Sequence, residues 1–166
     1  HINIGKKLTL PLRSHSTKTD TIITISDYHS VEHSLYDVKR SLGYFIPKNL
    51  TEVIDWAKRH DLNFYPATHH LTHIKIEEYF ITKIDSINFE GYNVVNPITE
   101  LREIQNEIKF EDYFFFPTNQ IRSNLIVIAL EPKSMLGLVT YKNYEHLLKA
   151  GEYFPVLRVV SDSEQH

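Results

Sequence analysis

Four consecutive aromatic residues, Tyr113-Phe114-Phe115-Phe116, run directly into Pro117 and constrain this chain more than any other segment. Successive side chains on a strand point to opposite faces, so an unbroken run of rings covers both. A strand of that kind is stable in the middle of a sheet buried on both sides, and Pro117 stops it. The alternative use for such rings is a partner surface, for instance toward a neighbouring domain. A sheet of this sort needs a sizeable core, and 166 residues are enough to bury roughly two-thirds of the unfolded surface without a disulfide or metal.

The remaining segments supply the other elements. Lys7–Leu12 alternates around Leu8, Leu10 and Leu12, and Thr21–Tyr28 alternates threonine with isoleucine, so both read as strands. Asn49–His60 is the clearest helix, with Leu50, Val53, Ile54 and Ala57 on one face. Asn49 followed by Glu52 has the spacing of a capping box. LNFYPAT (62–68) and FPVLRVV (154–160) read as short strands, Leu71–Asn88 as a strand or hairpin, and NFEGYNVV (88–95) carries Gly91 at a bend. Lys142–Lys149 reads as a short helix with Gly151 at its C-cap. Ile98–Phe110 and Asn119–Leu130 fit helical and strand periodicity equally. The order predicts one α+β domain over residues 1–160, mainly antiparallel sheet with two to four short helices, and a disordered tail at 161–166.

Charge and composition exclude several classes. The formal net charge is −3, and lysines and arginines are dispersed, which does not fit a nucleic-acid binder. No run of about 18 apolar residues is present, so no membrane span is expected. With no cysteine, thiol catalysis, cysteine metal sites and disulfides are excluded. The opening HINIGKKLTLPLRS lacks the apolar core of a signal peptide, and its start at His1 reads as a fragment of a longer chain.

Two histidine groups carry the spacing of metal chemistry. His29, Glu32 and His33 form H-x-x-E-H, two imidazoles and a carboxylate that one helical face could turn toward zinc, with His146 as a further ligand and the fourth position left to water. The flanking sequence is β-rich and serine-rich, and ten histidines make such a match common by chance, so metal binding here is the weaker reading. His69, His70 and His73 could take a transition metal, but their only nearby carboxylates are Glu77 and Glu78, and a solvated loop is the better reading. No nucleophile elbow, P-loop or dinucleotide fingerprint occurs. Tyr28, Tyr36, Tyr79 and Tyr92, if exposed, would suit stacking against a peptide or glycan.

Several segments together resemble the C-terminal region of bacterial zinc carboxypeptidases of the carboxypeptidase A-like superfamily. They are Tyr44-Phe45-Ile46-Pro47-Lys48 before the helix, Glu90-Gly91, Asp112-Tyr113, Pro117, Asn119-Gln120, LEPKS (130–134), GLVTY (137–141) and Phe154-Pro155-Val156-Leu157-Arg158. The likeness spans residues 42 to 160 and is most specific in the last thirty; it departs at Leu136, where an acidic residue is usual, and at Tyr141, where tryptophan is common.

The resemblance implies an accessory domain of a periplasmic or extracellular protein. The zinc, its ligands, the arginine for the substrate carboxylate and the catalytic glutamate would belong to an upstream peptidase domain that cleaves C-terminal residues from peptides. None of those residues maps onto this chain, and no catalytic or metal residue and no cofactor is assigned within it. The positions it singles out, with structural or interdomain roles, are Tyr113, Asn119, Gln120, Glu131, Pro132, Ser134, Gly137 and Arg158. Glu131, placed before Pro132, and Arg158, in a strand of apolar residues, would be costly to bury unless paired, with each other or with the missing domain; a local hydrogen bond closing the last strand onto the core is the alternative. The expected partners are that upstream domain and the parent's peptide substrate. Two competing functions are a peptide- or glycan-binding module and a small metallohydrolase using His29, Glu32 and His33.

Overall fold

The structure is a computed structural model that describes residues 5–28, 39–68, 72–105 and 107–162. It divides into two compact units, residues 1–38 and 39–166. The first contains an antiparallel hairpin of β1 (Lys6–Arg13) and β2 (Asp20–Tyr28). Its register pairs Leu8 with Ile25 and Leu10 with Ile23, so leucine and isoleucine share one face, while Thr9 opposite Thr24 and Pro11 opposite Ile22 form the other. Asp27 Oδ1 accepts a hydrogen bond from the Gly5 N–H at 2.7 Å.

The second unit is α+β and its sheet is antiparallel throughout. It carries β3 (Gly43–Pro47), α1 (Thr51–Arg59), β4 (Tyr65–Pro66), β5 (Ile74–Phe89), β6 (Tyr92–Glu103), β7 (Tyr113–Pro117), α2 (Ser123–Leu130) and β8 (Leu157–Ser161). Its six strands are ordered β4-β7-β3-β8-β5-β6, with three single 3-10 turns at Phe110–Asp112, Leu138–Thr140 and Glu145–Leu147. The aromatic run lies in β7, inside the sheet between β4 and β3.

Alternation along β3 and β7 builds two cores. Tyr44, Ile46, Phe114 and Phe116 face α1 and α2, where they meet Val53, Trp56, Ala57, Ile126 and Leu130. Phe45, Phe115, Leu157 and Val159 face the other way, under Ile104, Ile108 and Phe110. Phe45 sits edge-on to Phe110 with centroids 5.4 Å apart, and Phe64 stacks on Phe116 at 4.7 Å. Rings are therefore needed on both faces of β7.

Some elements differ from the sequence expectation, each for a local reason. The helix begins at Thr51, its cap position is Leu50, and no side chain caps it; Asn49 lies outside, and Glu52 pairs instead with His146 Nε2 at 3.1 Å. The Lys142–Lys149 helix is a single 3-10 turn, Glu145–Leu147. Ile98 to Glu103 continues β6, because that stretch finds a partner in β5. Residues 123–130 form α2, an almost wholly apolar helix with Ile126, Ala129 and Leu130 in the core. Ser161 still pairs with Ile74 in β8, one residue into the stretch read as tail.

Candidate functional site

The polar residues marked by the sequence meet at the centre of the helix-facing core. Arg158, on β8, is 2% exposed, and Glu131, just after α2, is 8% exposed. Arg158 Nε donates to Glu131 Oε1 at 2.8 Å, its Nη1 donates to Glu77 Oε2 of β5 at 2.6 Å, and its Nη2 donates to the Lys39 carbonyl. Glu131 also accepts from the Tyr44 hydroxyl at 2.7 Å on Oε1 and from the Tyr79 hydroxyl at 2.6 Å on Oε2. Two carboxylates, one guanidinium and two phenols thus satisfy one another, which is the condition for keeping charge inside a core.

The sheet register makes this convergence possible. Arg158 lies opposite Tyr44 on β3 and opposite Glu77 on β5, so all three project from one face. Glu131 enters from the helix side, where the chain leaves α2 in extended conformation (ψ 119°) and Pro132 prevents another helical turn. Burial first, and then the neighbouring Glu131 carboxylate, raise the Tyr44 and Tyr79 pKa values above the ordinary tyrosine range. Burial opposes the Arg158 charge, but Glu131 and then Tyr79 and Glu77 outweigh it and hold its pKa above the usual arginine value. Groups held this firmly in their resting protonation states are poor acid–base catalysts at neutral pH.

Of the other marked positions, Ser134, Gly137 and Gln120 serve backbone geometry. Ser134 Oγ accepts from the Leu136 N–H at 3.3 Å, and the Gly137 N–H donates to the Ser134 carbonyl at 2.9 Å. A Cβ on Gly137 would lie 2.9 Å from the Glu131 carbonyl, so the turn closes only around glycine. Gln120 imitates a strand residue: its Oε1 accepts from the Asn63 N–H at 2.9 Å, and its Nε2 donates to the Asn63 and Pro117 carbonyls at 3.0 and 2.8 Å. Next to it, Arg122 Nη1 donates to the His60 and Asp61 carbonyls and so satisfies the C-terminal end of α1. Tyr113 packs on the second core beside Phe45, with centroids 6.2 Å apart. Asn119 is exposed and takes no part in the central cluster.

Sequence reasoning singled out Glu131 and Arg158 but missed Glu77, Tyr44 and Tyr79 as their partners. No local signal marked Glu77, because β5 also carries Lys75, Glu78, Lys83 and Asp85. Tyr79, grouped with the exposed stacking rings, is 5% exposed; it belongs to the core because its hydroxyl is needed by Glu131. Tyr28 and Tyr92 are exposed, and Tyr36 lies outside the described residues. So do His29, Glu32, His33, His69 and His70. Among the described residues no group of three or more histidine, cysteine, aspartate or glutamate side chains is placed to hold a metal ion, and no helix is long and apolar enough to cross a membrane.

No family model, curated protein or solved structure matches this chain.

Proposed function

We propose that this chain is a non-catalytic C-terminal accessory domain of a zinc carboxypeptidase-type protein, supporting the peptidase domain or shaping access to its cleft. One observation carries the reading. Three of the segments that resemble the family, YFIPK, LEPKS and FPVLR, lie far apart in sequence, yet they supply Tyr44, Glu131 and Arg158 to a single buried cluster. Residues marked by the resemblance therefore hold the fold together, as a supporting domain requires, and their chemistry is locked rather than poised. In that reading the zinc and the peptide-cleaving residues belong to an upstream domain of the same polypeptide, exported to the periplasm or beyond.

The test is direct. The 166-residue chain, dialysed against zinc and analysed by atomic emission, should hold no stoichiometric zinc and release no C-terminal residue from a peptide. One tightly held zinc per chain together with such hydrolysis would instead favour a metallohydrolase built on His29, Glu32 and His33.

A further inference from the structure

Among the described residues four strands lie at the edge of a sheet: β1 and β2 in the hairpin, β4 and β6 in the six-stranded sheet. Three of them carry a proline, Pro11, Pro66 and Pro97, and so lack a backbone N–H that a further strand would use. β2 carries none. From Thr21 to Ile25 it is threonine and isoleucine alone, and Ile22, Ile23 and Ile25 are exposed, Ile22 by 70%. A two-stranded hairpin is marginal in water, and further strands that extend its apolar face stabilise it. We propose that β2 pairs antiparallel with β2 of a second copy of this chain, across a two-fold axis at Ile23, joining two hairpins into one four-stranded sheet.

The register of the hairpin makes β2 complementary to itself. Leu10 lies opposite Ile23, Leu8 opposite Ile25 and Leu12 opposite Thr21, so these six share one face. With Ile23 on the axis, Leu10 and Ile23 meet the partner's Ile23 and the partner's Leu10, an aliphatic row across all four strands. The next row runs Leu8, Ile25, the partner's Thr21 and the partner's Leu12. On the opposite face Ile22 meets the partner's Thr24. Charge agrees with this choice of edge. Asp20 falls opposite the partner's Ser26, so the pairing sets no carboxylate against another. β1 paired with itself about Leu10, the register that would join Leu8 to Leu12, sets Lys7 against Arg13. Pairing about a two-fold axis uses the same edge of both copies and closes after two. The inference rests on the hairpin alone and stands apart from the reading of the second unit as an accessory domain.

Sedimentation equilibrium of the 166-residue chain should give the mass of two chains, and Ile23→Lys, which sets two cations on the axis, should return it to one. The chain has no cysteine, so Ile23→Cys supplies a single thiol. A short bismaleimide should join two chains through it. Thr9→Cys should not cross-link, because the two Thr9 positions are three strand spacings apart, about 14 Å. A monomer up to about 0.5 mM, assemblies that grow past two chains, a dimer unaffected by Ile23→Lys, or a dimer that cross-links no better through Ile23→Cys than through Thr9→Cys would each overturn the proposal. The mass of the unaltered chain is measured first, so a monomer decides the matter even if a variant hairpin fails to fold.

Discussion

Arg158 and Glu131, 27 residues apart in sequence, form a buried ion pair with Nε and Oε1 at 2.8 Å, and the pair ties the last strand of the sheet to the end of the second helix. Its energetics are asymmetric. Two charges in a core gain little over a well-packed apolar pair, but removing one leaves the other stranded.

Arg158→Met should therefore cost about 3–5 kcal/mol in urea denaturation, since Glu131 and Glu77 both lose their cation. Glu131→Gln should cost less, because the Arg158 guanidinium keeps Glu77 at 2.6 Å. Adding Glu131→Gln to Arg158→Met should recover part of the loss. Strict additivity of the two single effects would show that the residues are not coupled.

Tyr44 and Tyr79 titrate above the ordinary tyrosine value in the folded chain because burial, and then Glu131, disfavour the phenolate. A folded pKa raised above the unfolded one means that the folded state holds its protons longer. The stability linked to these groups is thus complete below about pH 10 and falls as pH rises through the folded values. Absorbance of ionised tyrosine, followed with circular dichroism, should show these two phenols ionising only with alkaline unfolding. Early ionisation of both in the native state would contradict the buried cluster.

Gln120 acts as a surrogate strand residue, with its carboxamide in three hydrogen bonds to Asn63 and Pro117 backbone groups. Gln120→Ala should destabilise by about 1–3 kcal/mol. Gln120→Glu keeps the acceptor for the Asn63 N–H but turns two donations into repulsions, so it should be no better than alanine. Faster hydrogen exchange at the Asn63 amide is the local readout.

Gly43 begins β3 where the chain passes against the Phe115 ring. A Cβ there would sit 2.4 Å from Phe115 Cε2 and 2.7 Å from the Phe116 carbonyl oxygen. Since backbone as well as ring is in the way, Gly43→Ala should destabilise by about 1–3 kcal/mol or more, read as a fall in the thermal midpoint. Gly91 faces open space but has φ of +87°, so alanine there should cost less, and through backbone strain alone.

The legible parts of the fold are those in which one segment states its own surroundings. The aromatic run announced a strand covered on both faces, and the helical face of Val53, Ile54 and Ala57 announced α1 to within two residues at its start. Residues 98–103 and 123–130 are ambiguous in isolation, because apolar spacing alone fits either element when the partner is unknown. Pairing with β5 makes the first a strand, and burial against β3 and β7 makes the second a helix. The candidate site was half legible: an arginine among valines and a glutamate before a proline stand out against their neighbours. Tyr79 differs from the other tyrosines only through its tertiary contact, the Glu131 Oε2 that lies 2.6 Å from its hydroxyl.

The amino-acid sequence by itself determined the class of fold, the rings on both faces of β7, and the fact that Glu131 and Arg158 required compensation if buried. Local propensity and the cost of burying charge are properties of the residues themselves. Only the tertiary structure decided how that cost is met, by placing Arg158 opposite Tyr44 and Glu77 and bringing Glu131 onto it from beyond α2. Strand register and helix docking are relations between distant segments, and no segment carries them alone.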